Sequence, residues 1–299
     1  MIEAKSLTKR FGSFTALNQL NCRIEKGSIY GMVGSNGAGK STLLRIIAGV
    51  YRPDGGQLLV DGEPVFENLP VKERIFFIPD NPVFLPQANI EEMARFYRIF
   101  YDRFQEETFQ KLKSMFPLDP KMKIMYMSKG MQRQAAILLA LATLPDYLLL
   151  DEAFDGLDPV MRQVLRSILA DWASERETTV IMSSHNLREL EDITDHVGLI
   201  HKGGVVFEKD LDSIKLGIHR IQAVFEPIPP AEAFEGLDIL RTEQRGKLFS
   251  FVIRGQSEEI TAALERLHPV FMEALPLTLE EVFIKEMEVA GYDANSILK

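Results

Sequence analysis

Nine consecutive residues near the N-terminus have the types and the spacing needed to hold a chain of phosphates. Gly34, Gly39, Lys40 and Ser41 fit the pattern G-x-x-x-x-G-K-[ST]. Glycines let a loop turn its backbone N–H groups inward around phosphate oxygens, because Cβ atoms would fill that space. The lysine suits the β- and γ-phosphates, and the serine hydroxyl suits Mg²⁺. We expect phosphate contacts from the whole loop, which consists of Gly34, Ser35, Asn36, Gly37, Ala38, Gly39, Lys40, Ser41 and Thr42.

The residues on both sides of this loop indicate a strand, a loop and a helix in that order. Residues 29–33 form a short apolar run typical of a buried strand, and residues 43–50 repeat apolar side chains at helical spacing. A helix that begins near Lys40 would direct its free N–H groups and its positive dipole end at the phosphates. The alternative is a glycine-rich turn beside a surface lysine, which would not require this order.

Two adjacent acids, Asp151 and Glu152, follow a second apolar run at residues 147–150. Such a run predicts a central strand, and ligands of a parallel sheet bind at the carboxyl ends of its strands. This position suits Asp151 to hold Mg²⁺ through a water, and Glu152 to align and deprotonate an attacking water. His185 directly follows another predicted strand, residues 179–184, and is well placed to meet a γ-phosphate.

A further group of polar residues precedes a long apolar helix predicted over residues 133–144. The backbone N–H groups of residues 127–132 and the Ser128 hydroxyl would lie at the positive end of this helix, which favours a second anion site. A serine that only caps a buried helix accounts for Ser128 equally well. The residues alone leave both interpretations open.

Several aromatic residues also admit two interpretations. Phe11 lies between two predicted antiparallel strands, residues 2–8 and 20–24, where it could cover a sheet edge. A helix that begins with a capping box at Asn89 and Glu92 carries a stripe of large apolar side chains. The stripe could face the core or another protein. Its members are Ile90, Met93, Ala94, Tyr97, Phe100, Tyr101 and Phe104.

The composition of the 299-residue chain disfavours several classes of protein. A net charge of −9 disfavours the basic surface that nucleic-acid binding usually needs. Cys22 is the only cysteine, so no intramolecular disulfide or zinc-type cluster is expected, which favours a reducing cytoplasm. The longest apolar run, residues 135–144, is shorter than a membrane span, and the N-terminus has no signal-like segment. We therefore expect membrane association only through a partner.

Taken in order, these motifs resemble the ATP-binding subunits of ABC transporters over residues 1–210. The resemblance implies an α/β fold of the ABC-type P-loop NTPases, with a mixed core sheet, an antiparallel β subdomain and a helical subdomain at about residues 84–144. Residues 211–299 resemble the small α+β C-terminal domain of bacterial exporter-type ATPases, which favours export. Strands are predicted there at residues 220–225, 239–244, 248–253 and 270–275, and helices at residues 258–267 and 278–287.

The same resemblance implies ATP and Mg²⁺ as cofactors and gives each candidate residue a role. Phe11 stacks on adenine, and the loop holds the phosphates. The expected catalytic residues are Glu152 as the base, His185 as the switch histidine, and Lys40. The expected metal ligands are Ser41, Asp80 and Asp151.

Three other residues are implied to act across an interface between two subunits. Ser128 and Gly130 belong to the signature sequence, which contacts ATP held by the opposing subunit. Asp158 belongs to a loop that senses that subunit. The working unit is therefore expected to be a head-to-tail dimer with two nucleotides between the chains, formed by identical or related ATP-binding subunits.

Two positions depart from the family pattern. Lys129 replaces the first glycine of the signature, and backbone donors there survive the change. Asp80 stands where the family usually has a glutamine that touches Mg²⁺ and the lytic water. Gln87 is a competing candidate for that position, but Asp80 directly follows the strand at residues 74–78, and its carboxylate can still face Mg²⁺.

The leading hypothesis is an ATPase subunit that drives a separate membrane permease from the cytoplasmic face of the membrane. A soluble ABC-type ATPase that acts as a mechanical clamp on ribosomes or nucleic acid is the alternative. Such clamps usually carry two ATPase domains or a long coiled-coil insertion, and neither is present in this sequence. A catalytically silent nucleotide-binding regulator conflicts with the joint presence of Lys40, Asp151, Glu152 and His185.

Overall fold

The computed structural model of the protein describes residues 1–191, 193–211 and 218–275. The chain divides into two units, the first of which covers Met1–Glu208, while the second begins at Lys209. All the residues selected above as candidates for the nucleotide site lie in the first unit. Within the described ranges, no helix combines the length and the apolar character needed to cross a membrane.

A six-stranded sheet forms the centre of the first unit. Its strands are β3 (Ile29–Val33), β6 (Ile75–Ile78), β7 (Tyr147–Asp151), β8 (Thr179–Ser184), β9 (His196–His201) and β10 (Gly204–Asp210). They are arranged in the order β10-β9-β3-β8-β7-β6, and the five strands from β9 to β6 run parallel. β3, β7 and β8 are buried at every residue, as in a sheet covered on both faces.

The pairing register brings the carboxyl ends of these strands together. Val33 pairs with Ser184, and Asp151 pairs with Ser183. The residues that follow β3, β7 and β8 therefore meet at one edge of the sheet, as expected from the sequence. The bounds predicted for β3 and β8 are confirmed.

An antiparallel sheet covers the phosphate-loop helix on its other side. It consists of β1 (Ile2–Phe11), β2 (Phe14–Ile24), β4 (Gly55–Val60) and β5 (Glu63–Pro64), in the order β2-β1-β4-β5. β1 and β2 are longer than predicted, and their pairing continues to Phe11 and Phe14 at the turn. Helix α1 (Lys40–Ile47) packs Leu43 and Leu44 into the core that the two sheets share.

The other α-helices in the described part of the first unit are α2 (Leu69–Lys72), α3 (Ile90–Phe100), α4 (Glu106–Met115), α5 (Lys129–Ala142), α6 (Pro159–Arg176) and α7 (Leu187–Glu191). Three of them, α3, α4 and α5, lie in the helical subdomain predicted at about residues 84–144. The capping box of α3 is confirmed, because Asn89 and Glu92 exchange hydrogen bonds of 2.9 and 3.0 Å. The apolar stripe of α3 is buried at Ile90 and Met93, while Phe100 is 58% exposed.

The second unit contains a four-stranded antiparallel sheet, one α-helix and a short 3₁₀ helix (Ala231–Phe234) within its described residues. The elements are β11 (Ile218–Val224), β12 (Asp238–Arg245), β13 (Leu248–Arg254), α8 (Ser257–Glu265) and β14 (Phe271–Leu275), and the sheet order is β12-β13-β11-β14. Phe225, Phe249 and Phe251 form its core with Ile260 and Leu264 of α8. The helix predicted over residues 278–287 lies outside the described residues, as do residues 212–217 just after the predicted start of the second domain at residue 211.

Candidate active site

The loop between β3 and α1 has a backbone conformation that requires glycine. Gly37 and Gly39 have φ angles of 81° and 116°, in the left-handed region. A Cβ atom on Gly34 would lie 2.3 Å from the carbonyl oxygen of Ile200, and one on Gly39 would lie 2.7 Å from that of Ala16. A side chain at either position would displace backbone, so the glycines predicted from the pattern are needed for the loop to close against the sheet.

The loop leads into a helix start that favours an anion. Gly39 is the N-cap of α1, and no side chain among the described residues caps that end of the helix. The first turn contains no acidic residue. Because the first N–H groups of a helix have no intrahelical partner, those of α1 are available to a ligand and are reinforced by the helix dipole.

Lys40 lies beneath the loop and is almost completely buried, with 5% of its side chain exposed. Its ammonium donates to the carbonyl oxygens of Gly34 and Ser35 at 2.6 and 3.3 Å, and it lies 3.6 Å from Glu152 Oε1. Burial lowers the pKa of Lys40, while the Glu152 carboxylate opposes that shift. The ammonium thus stands between the phosphate loop and the predicted catalytic base.

Asp151 and Ser41 meet as the sequence predicts for a metal site. Asp151 Oδ1 accepts hydrogen bonds from the hydroxyls of Ser41 and Ser183, at 2.9 and 2.7 Å. Asp151 is 1% exposed, and its second oxygen, Oδ2, has no hydrogen-bond partner among the described residues. An unpaired buried carboxylate oxygen is costly, and a cation is the partner that would satisfy it. Ser183 was not identified as a candidate residue, although it is the next-to-last residue of a predicted strand at the ligand edge.

Glu152 is held on three sides. Its backbone has a φ of 49°, which is uncommon outside glycine, and its N–H donates to the Ser183 hydroxyl at 3.1 Å. Its carboxylate lies between Lys40 and His185, with Oε2 2.8 Å from His185 Nδ1. The side chain of His185 is 54% exposed. The structure therefore brings together the three side chains predicted to be catalytic.

A cavity opens in front of the loop and defines the space available to a ligand. Phe14, Asp80 and Glu152 line it together with the loop, which contributes Asn36, Gly37, Ala38, Gly39, Lys40, Ser41 and Thr42. Phe14 is 59% exposed and was not identified as a candidate residue, since no pattern distinguishes it from a sheet-edge aromatic. Phe11, the predicted adenine contact, packs its ring edge against Tyr51 with Lys9 over its face, both at 5.4 Å.

Asp80 lines the cavity, but its carboxylate contacts other residues. Oδ1 accepts from Arg133 at 2.7 Å, and Oδ2 accepts from the side-chain amide of Asn81 at 2.9 Å. The competing candidate, Gln87, accepts a hydrogen bond from Lys123 and does not line the cavity. The role of Asp80 as a metal ligand stays a prediction.

Residues predicted to contact a second subunit lie at two other helix starts. Ser128 caps α5 by accepting from the N–H of Met131 at 3.3 Å, and Asp158 caps α6 by accepting from Met161 at 2.9 Å. Neither Ser128, Gly130 nor Asp158 lines the cavity of its own chain. The structure therefore confirms that Ser128 caps α5. Its predicted contact with a second subunit stays a prediction.

Comparison with known proteins shows what kind of protein carries this site. Residues 17–155 match the family model of ABC transporters. The ABC transporter ATP-binding protein YtrB of Bacillus subtilis is 30% identical over 284 residues, which cover 95% of this chain and 97% of that protein. The chain belongs to the ATP-binding subunits of ABC transporters. As an ABC ATPase, it binds ATP and hydrolyses it for transport.

Other relatives agree with this assignment for the first unit. The ABC ATPase is 33% identical over 218 residues to the bacitracin transport ATP-binding protein BcrA of Bacillus licheniformis, covering 72% of this chain and 71% of that protein. Its fold superposes with a TM-score of 0.64 on a dimeric post-hydrolysis state of an ATP-binding cassette bound to ADP and Pi. That match, at 23% identity, covers 71% of this chain and 99% of the cassette. The predicted ABC fold is confirmed.

Proposed function

We propose that this ABC ATPase closes as a dimer around two Mg²⁺-bound ATP molecules and drives a separate membrane permease, in the direction of export. The observation that carries the hydrolytic part is the position of Glu152, whose carboxylate lies between Lys40 and His185 at the edge of the phosphate-loop cavity. A carboxylate there is within reach of a water that attacks the terminal phosphate, and the ammonium beside it attracts that phosphate.

The residues around Asp151 fit a magnesium ion. The Ser41 hydroxyl and the unpaired Oδ2 of Asp151 are oxygen donors, the ligand type that Mg²⁺ prefers. No group of three or more His, Cys, Asp or Glu within the described part of the chain could hold a metal alone, so the phosphates would complete the site. Bound Mg²⁺ would neutralise charge that develops on the phosphates. Asp80 would join these ligands only after release from Arg133.

Each catalytic side chain has a specific task in this proposal. Glu152 orients the water and accepts its proton. His185, hydrogen-bonded to Glu152, fixes the carboxylate and contacts the γ-phosphate. Lys40 leaves the carbonyls of Gly34 and Ser35 and binds the β- and γ-phosphates. Because the buried ammonium has little hydration to lose, its attraction to the phosphates is strong.

The dimer is supported by residues that have no task in their own chain's cavity. Ser128 and Gly130 place backbone N–H groups at the start of α5, and Asp158 begins α6. In the proposed head-to-tail dimer they contact the nucleotide and the loop of the opposing subunit. The structurally similar cassette described above is itself dimeric. Whether the second chain is an identical copy or a related subunit does not change these contacts.

The permease is supported by an exposed apolar surface on the helical part of the first unit. Val83, Leu85, Met125 and Tyr126 are 86%, 42%, 58% and 66% exposed. Leu85 and Met125 line one groove, and exposed apolar side chains that lie together are typical of a contact with another protein. Attachment through it would place the ABC ATPase peripherally at the cytoplasmic face of the membrane. Export rests on the resemblance of the second unit to exporter-type ATPases.

Capture of the partner tests the proposal. We would recover tagged Glu152→Gln protein with ATP from detergent-solubilised membranes and identify what co-purifies, with Lys40→Ala protein as the matched control. A multi-span membrane protein at stoichiometric amounts with the Glu152→Gln variant is the expected result. Recovery with ribosomes or nucleic acid and no membrane protein would contradict it and support the mechanical-clamp alternative.

A further inference from the structure

Arg133 is a buried cation that the hydrolytic steps above do not use. Its side chain is 7% exposed and lies on α5, with Nη2 2.7 Å from Asp80 Oδ1 and Nη1 3.3 Å from Asp155 Oδ2. The guanidinium also donates to the backbone carbonyl oxygens of both acidic residues. Both acidic side chains are about half exposed, at 48% and 61%, so the arginine is the desolvated partner of this cluster.

The two acids lie on separate loops, each of which contributes a residue to the phosphate-loop cavity. Asp80 follows β6 and lines the phosphate-loop cavity. Asp155 is in the loop that begins with Glu152 and ends at Asp158, the N-cap of α6. One side chain therefore links the loop after β6, the loop after β7 and helix α5.

The start of α5 also packs directly on the second of these loops. A Cβ atom on Gly130 would lie 2.7 Å from the carbonyl oxygen of Gly156. The loop after β7 therefore lies directly against the start of α5, and Arg133 adds a polar contact between them. The planar guanidinium holds two acceptors at fixed angles, which a lysine cannot do.

We propose that Arg133 is a positioning residue for ATP hydrolysis, which fixes Asp80 and the loop of Glu152 in one geometry through its two acidic partners. While Arg133 and Asn81 occupy both of its oxygens, the carboxylate of Asp80 stays at the cavity wall and does not serve as a metal ligand. The proposal rests on hydrolysis by Glu152. Loss of Arg133 or of Asp80 should leave ATP binding intact, but the Glu152 carboxylate would then be placed less accurately for the attacking water.

The test is a double-mutant cycle on the full chain with Arg133→Gln, Asp80→Asn and both together. We expect each single variant to lower kcat by about tenfold, with KM for ATP within about twofold of the wild-type value. The double variant should be no slower than the slower single variant, because the two residues act as one unit. Arg133→Lys should recover only part of kcat, since it lacks the planar fork.

The matched control is Arg103→Gln, which removes an exposed ion pair with Asp146 and should leave kcat unchanged. Thermal unfolding of every variant separates loss of position from loss of fold, and Asp80→Asn tests the pair even where Arg133→Gln is unstable. Wild-type kcat in a folded Arg133→Gln variant, or single effects that multiply in the double variant, would overturn the proposal. Wild-type turnover in Glu152→Gln would instead show that the assignment of the base is wrong.

Discussion

Glu152 occupies a left-handed backbone conformation that the surrounding contacts stabilise. Such a conformation costs a non-glycine residue of order 1 kcal/mol. The N–H of Glu152 donates to Ser183, and its carboxylate is held by Lys40 and His185. These contacts offset the cost of the conformation and fix the direction of the Glu152 carboxylate.

Asp151→Asn tests the metal site at the scale of one residue. The amide keeps the shape of Asp151 but removes the charge that its unpaired Oδ2 offers to Mg²⁺. Mg²⁺ should raise the affinity of the wild-type protein for ATP. In Asp151→Asn we expect this increase to be at least about tenfold smaller, while the affinity for ATP in EDTA is unchanged. Calorimetric titration of ATP with Mg²⁺ and with EDTA measures both values.

Asp102→Asn is the matched control, because Asp102 is exposed and lies in a turn before α4. It should bind ATP like the wild type in both buffers. An Asp151→Asn variant that keeps the full Mg²⁺ enhancement would contradict the assignment of Asp151 as a ligand.

Cys22 provides a second test, which concerns the core between the sheets. The side chain is only 7% exposed, and burial raises its pKa to about 12. At pH 8 the folded protein should hold this thiol protonated and out of reach of a thiol reagent such as DTNB. We expect no reaction with DTNB within minutes in buffer, and reaction of one thiol per chain in denaturant. Rapid modification of the native protein would contradict this account of the core.

The helices of the first unit depend on caps that can be tested one element at a time. Asn89→Ala removes the side chain that accepts from the N–H of Glu92 at the start of α3. The expected loss is about 1 kcal/mol of unfolding free energy. Urea unfolding followed by the fluorescence of Trp172, the single tryptophan, reports on the unit that contains α3.

The surface variant Glu107→Ala is suitable as a control, because Glu107 lies in the first turn of α4 and is exposed. It should change the unfolding free energy by no more than about 0.5 kcal/mol. An Asn89→Ala variant as stable as the wild type would show that the capping box does not stabilise α3.

The elements that the sequence predicts well are those whose signal is local. Short runs rich in apolar residues indicated the bounds of β3 and β8, and cap residues mark the starts of α3 and α5, although α5 begins four residues before the predicted residue 133. β1 was predicted too short because its pairing with β2 continues past register shifts that no side-chain alternation records. For β9 and β10 the sequence predicts only the hairpin turn at residues 202–204 that joins them, and not the bounds of the two strands.

The residues of the candidate site also divide into those with a local signal in the sequence and those without one. The phosphate loop, Asp151 and Glu152 are recognisable because each stands at the carboxyl end of a strand. Arg133 was missed because its partner Asp80 lies 53 positions away, and only the packing of α5 against two loops brings them together. Ser183 was missed because its hydroxyl becomes a site residue only through the register of β7 with β8.

At the scale of the whole molecule, the proposal requires two chains. Glu152→Gln protein with ATP should double its mass from 33.9 kDa, as measured by size-exclusion chromatography with light scattering. Lys40→Ala in the same background should stay monomeric, because the nucleotide that joins the chains is not bound. A Glu152→Gln protein that remains monomeric at saturating ATP would contradict the proposed dimer.

The central claim is that Glu152 deprotonates the water that attacks ATP bound at the loop between β3 and α1. Its most direct test measures ATP turnover and ATP affinity of wild-type and Glu152→Gln protein side by side. We predict that turnover falls by at least about a hundredfold while ATP affinity stays within a few-fold of the wild-type value. Near-normal turnover in the folded, ATP-binding variant would contradict the claim.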